Sequence, residues 1–204
     1  MTSRTRLSPE QRREQLLELG VQLIADRPIE EFSVDLLAEQ AGVSRGLLYH
    51  YFGGKQEFLH AVLRQMADDL FEATAPVDHP DLVHRLRVSL ENYLGFVRAH
   101  QTAYRSFMQA ALGGRPEIRE IYEEGRAALV DRIFDSASAQ ELAEVGISDT
   151  PAARLFARGW SAMVEDVLMA WLDDPHGLDE DELIATLTLA LGGVLGVMAL
   201  TNPS

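Results

Sequence analysis

Residues 44–55 read SRGLLYHYFGGK and place one arginine, two tyrosines, a histidine and the chain's single lysine within twelve positions. These side chains can grip phosphate and read base edges. A guanidinium offers two parallel donors that match O6 and N7 of guanine. Tyrosine hydroxyls and imidazole donate to phosphate oxygens, and a lysine ammonium is a compact charge for a further phosphate. Arg45 is therefore the candidate for base contact. Gly46 beside it has no side chain, so backbone and base can approach closely. Ser44 caps the segment as a helix, and a helix N-terminus itself attracts phosphate. Tyr49, His50, Tyr51 and Lys55 are candidates for contact with the nucleic-acid backbone.

The remainder of the chain has the opposite charge character. Its 204 residues carry a formal net charge of −14. Residues 1–55 hold seven Lys/Arg and eight Asp/Glu, whereas residues 56–204 hold eleven and twenty-four. A strongly acidic body disfavours non-specific binding to polyanions, but it leaves room for a local binding face. Salt screens charges beyond about 8 Å at physiological ionic strength. The chain has no cysteine, which excludes disulfides and thiolate metal sites, and a reducing cytoplasm is the expected location. The longest apolar run, LTLALGGVLGVMAL at 187–200, is 14 residues long, short of the roughly 20 a membrane span needs.

The elements that must position these groups read as helices, so the expected class is all-α. Ser8-Pro9-Glu10 gives a cap and a proline at the first helical position, and the helix is expected to end near Asp26, with Pro28 preventing its continuation. Ser33 starts a short helix with Val34, Leu37, Ala38 and Ala41 on one face. Gly42 permits a chain reversal, and Ser44 starts the next helix. Two short helices joined by a tight turn containing glycine form a helix-turn-helix. Gly53-Gly54 then breaks the chain, and a long amphipathic helix covers 55–73. Further helices are expected over 81–99, 102–112, 117–136, 151–172 and 180–200, with 136–150 as a break. The expected organisation is a three-helix domain at 1–55 and a larger helical bundle at 56–204.

The segment FSVDLLAEQAGVSRGLLYHYFGGKQEFL, residues 32–59, resembles the DNA-binding signature of the TetR family of bacterial transcriptional regulators. The AGVS turn, the small residue before the leucine pair, YHYF and the following lysine carry the resemblance. It implies that Arg45 and Gly46 contact bases. It implies that Ser33, Ser44, Tyr49, His50, Tyr51 and Lys55 contact mainly the backbone of double-stranded DNA. Leu47 is apolar at a position where some members touch DNA, and Gly53-Gly54 replaces a more usual Pro-Ser. The resemblance further implies a homodimer on a palindromic operator, a ligand-binding C-terminal domain, and repression relieved by a small-molecule effector.

Read without that resemblance, the C-terminal part is only loosely diagnostic. Leu183, Ile184, Leu187, Leu191, Val194, Leu195 and Met198 make the last helix apolar, and Gly192, Gly193 and Gly196 allow another helix to come close. With the 151–172 helix it is a candidate for a symmetric four-helix dimer interface. Tyr104, Phe107 and Met108 on one helix, and Trp160, Met163 and Val167 on another, are the candidates for a pocket with an apolar or amphipathic ligand. Asn92, Gln109 and Glu165 are candidate polar anchors. Arg4 and Arg6 are a candidate arm for the minor groove.

Two readings from other classes stand beside this one. Glu57-x-x-His60 and Asp81-x-x-His84 have the spacing of a helical di-metal carboxylate protein, although two further core carboxylates are not identifiable. A helical adaptor that does not bind DNA is the third. No phosphate loop, nucleophile elbow or zinc motif is present, so neither an enzyme nor a cofactor is expected.

Overall fold

The computed structural model describes residues 7–25 and 29–201, and these contain ten α-helices, one 3-10 turn and no strand. The candidate arm at Arg4 and Arg6, the stop at Pro28 and the Met198 side chain lie outside what is described. The helices are α1 (Pro9–Ala25), α2 (Val34–Ala41), α3 (Arg45–Phe52), α4 (Lys55–Ala73), α5 (Leu82–Ala99), α6 (Gln101–Leu112), α7 (Pro116–Asp135), α8 (Ala139–Glu144), α9 (Pro151–Asp173) and α10 (Glu180–Thr201). The class is all-α, as the helical periodicity predicts.

Capping explains most of the boundaries. Ser8 Oγ accepts from the Gln11 N–H at 3.2 Å, and the Gln11 side chain accepts from the Ser8 N–H at 2.9 Å, so α1 starts on a reciprocal cap. The 136–150 stretch is not a plain break, because it contains α8. There Ser138 Oγ accepts from the Glu141 N–H, and Glu141 accepts from the Ser138 N–H. Ser-x-x-Glu is the sequence signature of that cap, and it outweighs the low apolar content of the segment.

By packing, the chain forms two compact units. The first takes residues up to Asp69 together with His100–Tyr122, and the second takes Leu70–Ala99 together with residues from Glu123 onward. The first unit is centred on Phe58, which is 1% exposed, stacks on Phe32 at 5.5 Å and meets Phe52 edge-on at 4.5 Å. Gly20 lets α1 lie close to α4: a Cβ there would sit 2.5 Å from Val62 Cγ2 and 2.9 Å from Phe58 Cζ. Helix α6 completes this core through Ala103, Phe107 and Ala110, and Ser106 Oγ accepts from the buried Ile29 N–H at 2.7 Å. Residues 1–55 therefore hold only part of the core that supports them.

In the second unit α10 packs on α9 and α5. Trp160 fixes one of these contacts by donating its indole N–H to Leu187 O at 2.9 Å. Arg154 gathers Asp131, Asp135 and Asp149 within 3.0 Å and lies over the Phe134 ring. Bonds donated to these aspartates, Asp149 first, raise the Arg154 pKa above its ordinary value.

Candidate nucleic-acid interface and an apolar cavity

The reading segment is built by two serine caps and one left-handed glycine. Ser33 Oγ accepts from the Leu36 N–H at 3.1 Å, and Ser44 Oγ accepts from the Leu47 N–H at 3.2 Å. Each hydroxyl keeps its own O–H available for a phosphate oxygen. Gly42 has φ 61° and ψ 33°, the left-handed conformation that costs a residue with Cβ roughly 1–2 kcal/mol. The Val43 N–H then reaches back to Ala38 O at 3.0 Å and closes α2.

This turn divides α3 into two faces. Leu48 and Phe52 are buried in the first unit's core. Ser44, Arg45, Gly46, Tyr49 and His50 are exposed, with Tyr49 48% exposed. Arg45 and Tyr49 are one turn apart, as are Gly46 and His50, so the four share one face. Lys55 is exposed at the start of α4. Tyr51 differs from the others, since it is half-buried, packs against the core and meets the His50 ring edge-on at 5.5 Å. Ser33 is half-buried at its cap, and Leu47 is half-buried too.

Two details of this face bear on chemistry. Gly46 is not required by the interior: beyond its neighbours and its own helix backbone, a Cβ there would meet only Ser44 Oγ, at 3.8 Å. Arg45 pairs with Asp35 of α2, and both side chains are more than half exposed. An exposed pair of this kind is worth about 0–1 kcal/mol, so the guanidinium can leave it for a base at small cost.

The second unit holds a cavity of about 250 Å³. Its wall is mainly apolar and includes Leu86, Tyr93, Ile133, Trp160 and Val164. Of the six sequence candidates for a pocket, only Trp160 lines it. Met163 and Val167 belong to the same helix but are exposed and half-buried, respectively. Tyr104, Phe107 and Met108 belong to the first unit, where Phe107 meets Tyr122 edge-on at 5.9 Å. Asn92 and Gln109 are exposed, and Glu165 is buried with Arg126 at 3.6 Å. The polar groups on the wall that sequence reasoning missed include Arg85, Arg132 and Ser136. Helical spacing does not reveal which face of α5 or α7 borders an empty space.

Among the described residues, no group of three or more His, Asp or Glu is placed to share a metal ion. Glu57 and His60 lie in one unit, Asp81 and His84 in the other. The described residues do not assemble the carboxylate cluster that a di-metal site needs.

The comparisons with known proteins agree with the geometry of α2 and α3. Residues 16–62 match the bacterial regulatory proteins of the tetR family, and residues 82–191 match a tetracyclin repressor-like C-terminal domain. The HTH-type transcriptional activator FasR of Mycolicibacterium smegmatis is 28% identical over 192 residues, covering 93% of this chain and 85% of FasR. The HTH-type transcriptional regulator BetI of Stenotrophomonas maltophilia is 31% identical over 168 residues, covering 79% of this chain and 80% of BetI. The crystal structure of a tetR-family transcriptional regulator from Streptomyces coelicolor superposes with a TM-score of 0.78 at 27% identity, covering 96% of this chain and 85% of that one. The chain belongs to the TetR family of bacterial transcriptional regulators. It is a DNA-binding regulator and not an enzyme.

Proposed function

We propose that this regulator is a cytoplasmic repressor that binds a palindromic operator as a homodimer and is released by a small apolar or amphipathic effector. The observation that carries the reading is the exposed face of α3. Arg45 supplies a fork for guanine, and Gly46 leaves a gap that no part of the protein's interior needs. Ser33, Ser44, Tyr49, His50, Tyr51 and Lys55 surround them as phosphate donors, which agrees with residues 1–55 being the reading head and 56–204 the effector and dimerisation part. Tyr51 contributes through its exposed edge only.

Exposed apolar groups on α9 and α10 support the dimer. Phe156 and Met163 lie at i and i+7 on α9, and Leu189 is 70% exposed on α10 beside the exposed Gly192 and Gly193. Two copies of this helix pair give a self-complementary four-helix contact. The effector's place is the cavity of the second unit. Tyr104, Phe107 and Met108 are then core groups that act through packing, and Met163 and Val167 serve α9 outside the cavity wall.

Helix α4 links the two activities. It starts at Lys55 and ends at Ala73, one residue before Thr74, which lines the cavity. An effector that prefers the conformation with poorly spaced reading heads lowers operator affinity by linkage. The FasR relative is named an activator, so the direction of regulation is tested together with binding. Footprinting on promoter DNA is the experiment. Two protected half-sites with centres about 34–36 Å apart, or a multiple of this, are expected. A single unpaired footprint would contradict the dimer, and rising transcription on binding would make the protein an activator.

A further inference from the structure

We propose that the cavity of the second unit selects an amphipathic monoanion, with Arg132 as the group that binds its charged head. The inference rests on the effector reading above and adds the chemical class of the ligand.

Seven arginines lie in the second unit, and six of them face a carboxylate. Arg85 pairs with Glu141, Arg87 with Glu91, Arg98 with Glu180, Arg126 with Glu165, and both Arg154 and Arg158 with Asp131. Arg132 has no acidic partner among the described residues. It donates instead to Phe71 O, and to Thr74 O at 2.7 Å, and lies 3.9 Å from the centre of the Phe71 ring. These carbonyls close α4 and carry about half an elementary negative charge between them as a helix end. That offsets only part of a full cation. Burial holds the Arg132 guanidinium below its ordinary pKa, and no acidic group counters that effect.

Both Arg132 and Arg85 line the cavity. Arg85 Nη1 donates at 3.1 Å to Ser136 O, one helical turn beyond Arg132, so both guanidinium groups belong to the C-terminal end of α7. Arg85 Nη2 is taken by Glu141 at 2.8 Å, while Arg85 Nε is buried without an acceptor. A buried donor left unmade costs about 1–3 kcal/mol, so it is a standing attraction for a ligand oxygen. Two positive charges and one carboxylate leave a single positive charge at this end of the cavity. One negative charge balances it. The wall elsewhere is mainly apolar, with Tyr93, Trp160 and Val164, and its other polar groups are the uncharged hydroxyls of Ser89, Ser161 and Thr188, so it suits a hydrocarbon or aromatic body rather than a second charge.

The test uses the full chain and three probes that share one tail: decanoate, 1-decanol and decylamine. Calorimetric titration should show decanoate binding at least about tenfold more tightly than decanol, with decylamine weakest, because a charge-assisted bond contributes more than a neutral one. Arg132→Gln keeps donors for the α4 carbonyls and removes the charge, and it should bring decanoate down to the level of decanol. Arg132→Lys should retain the preference. Equal binding of decanoate and decanol by the natural protein overturns the proposal, as does binding of none of the three. A preference that survives Arg132→Gln also overturns it. The three-probe comparison on the natural protein decides the matter even where Arg132→Gln does not fold. Operator affinity is measured in parallel. Decanoate preference with unchanged operator affinity upholds the anion site and overturns only its regulatory role.

Discussion

Arg45 and Gly46 make separable contributions, and their substitution should separate folding from recognition. Arg45 is exposed and gives the fold little, because its pair with Asp35 stands in solvent. Arg45→Ala should cost about 1–3 kcal/mol of discrimination for the operator and leave the urea midpoint nearly unchanged. Titration of operator and scrambled DNA at one salt concentration measures this. Gly46 behaves in the opposite sense. A glycine inside a helix costs about 0.5–1 kcal/mol relative to alanine, and the space around Gly46 accepts a Cβ. Gly46 lies in the first turn of α3, so Gly46→Ala should raise stability by no more than about that amount and weaken operator binding. A stabilised variant with undiminished operator affinity would remove the argument for close approach at this position. These residues were legible in the sequence because a cap, a tight turn and a short helix fix their placement locally. The partial burial of Tyr51 was not legible, since it depends on the core beneath α3.

Helix boundaries were legible for a similar reason. Serine, proline and glycine mark the ends of α1 to α4, and capping bonds confirm them at Ser8, Ser33 and Ser44. Helix α8 was missed although Ser138-x-x-Glu141 is present, because a six-residue helix gives no periodic apolar signal. The contribution of α6 to the first unit was hidden for a deeper reason: nothing local in residues 101–112 says which core they complete. Packing between elements gives its own prediction. Gly20→Ala should destabilise the first unit by about 1–3 kcal/mol, because the new methyl group meets Val62 and Phe58 and neither can withdraw. Urea unfolding measures it, and an unchanged midpoint would mean that α1 and α4 lie further apart than described. The cavity belongs to this scale as well. Its wall is formed by helices remote in sequence, so of the aromatic candidates only Trp160 borders it, and the presence of Arg85 and Arg132 on the wall left no signal in the spacing.

For the whole molecule, the acidic charge sets the response to pH and to DNA. Glu141 is held below the usual carboxylate range, first by the Ser138 N–H and then by the Ser138 hydroxyl and Arg85. Asp149 is lowered chiefly by its bond from Arg154. A carboxylate with a depressed folded-state pKa stabilises the fold above its unfolded pKa, and that contribution is lost as pH falls through the folded value. Stability should thus stay level near neutrality and decline below about pH 4. Arg154→Ala should remove part of the decline, as measured by urea midpoints across pH. On the reading proposed above, the same acidic body leaves operator binding to the few cations of residues 1–55. Operator affinity should therefore fall steeply with salt, with a slope set by the phosphates contacted.

The most direct measurement is selection of bound fragments from genomic DNA, with the natural chain and Arg45→Ala side by side. Enrichment of a palindrome by the natural chain and its loss in the variant is the predicted result. A folded, ligand-free protein that enriches no sequence, or a variant that enriches the same palindrome equally well, would contradict the account of α3 as the reading helix.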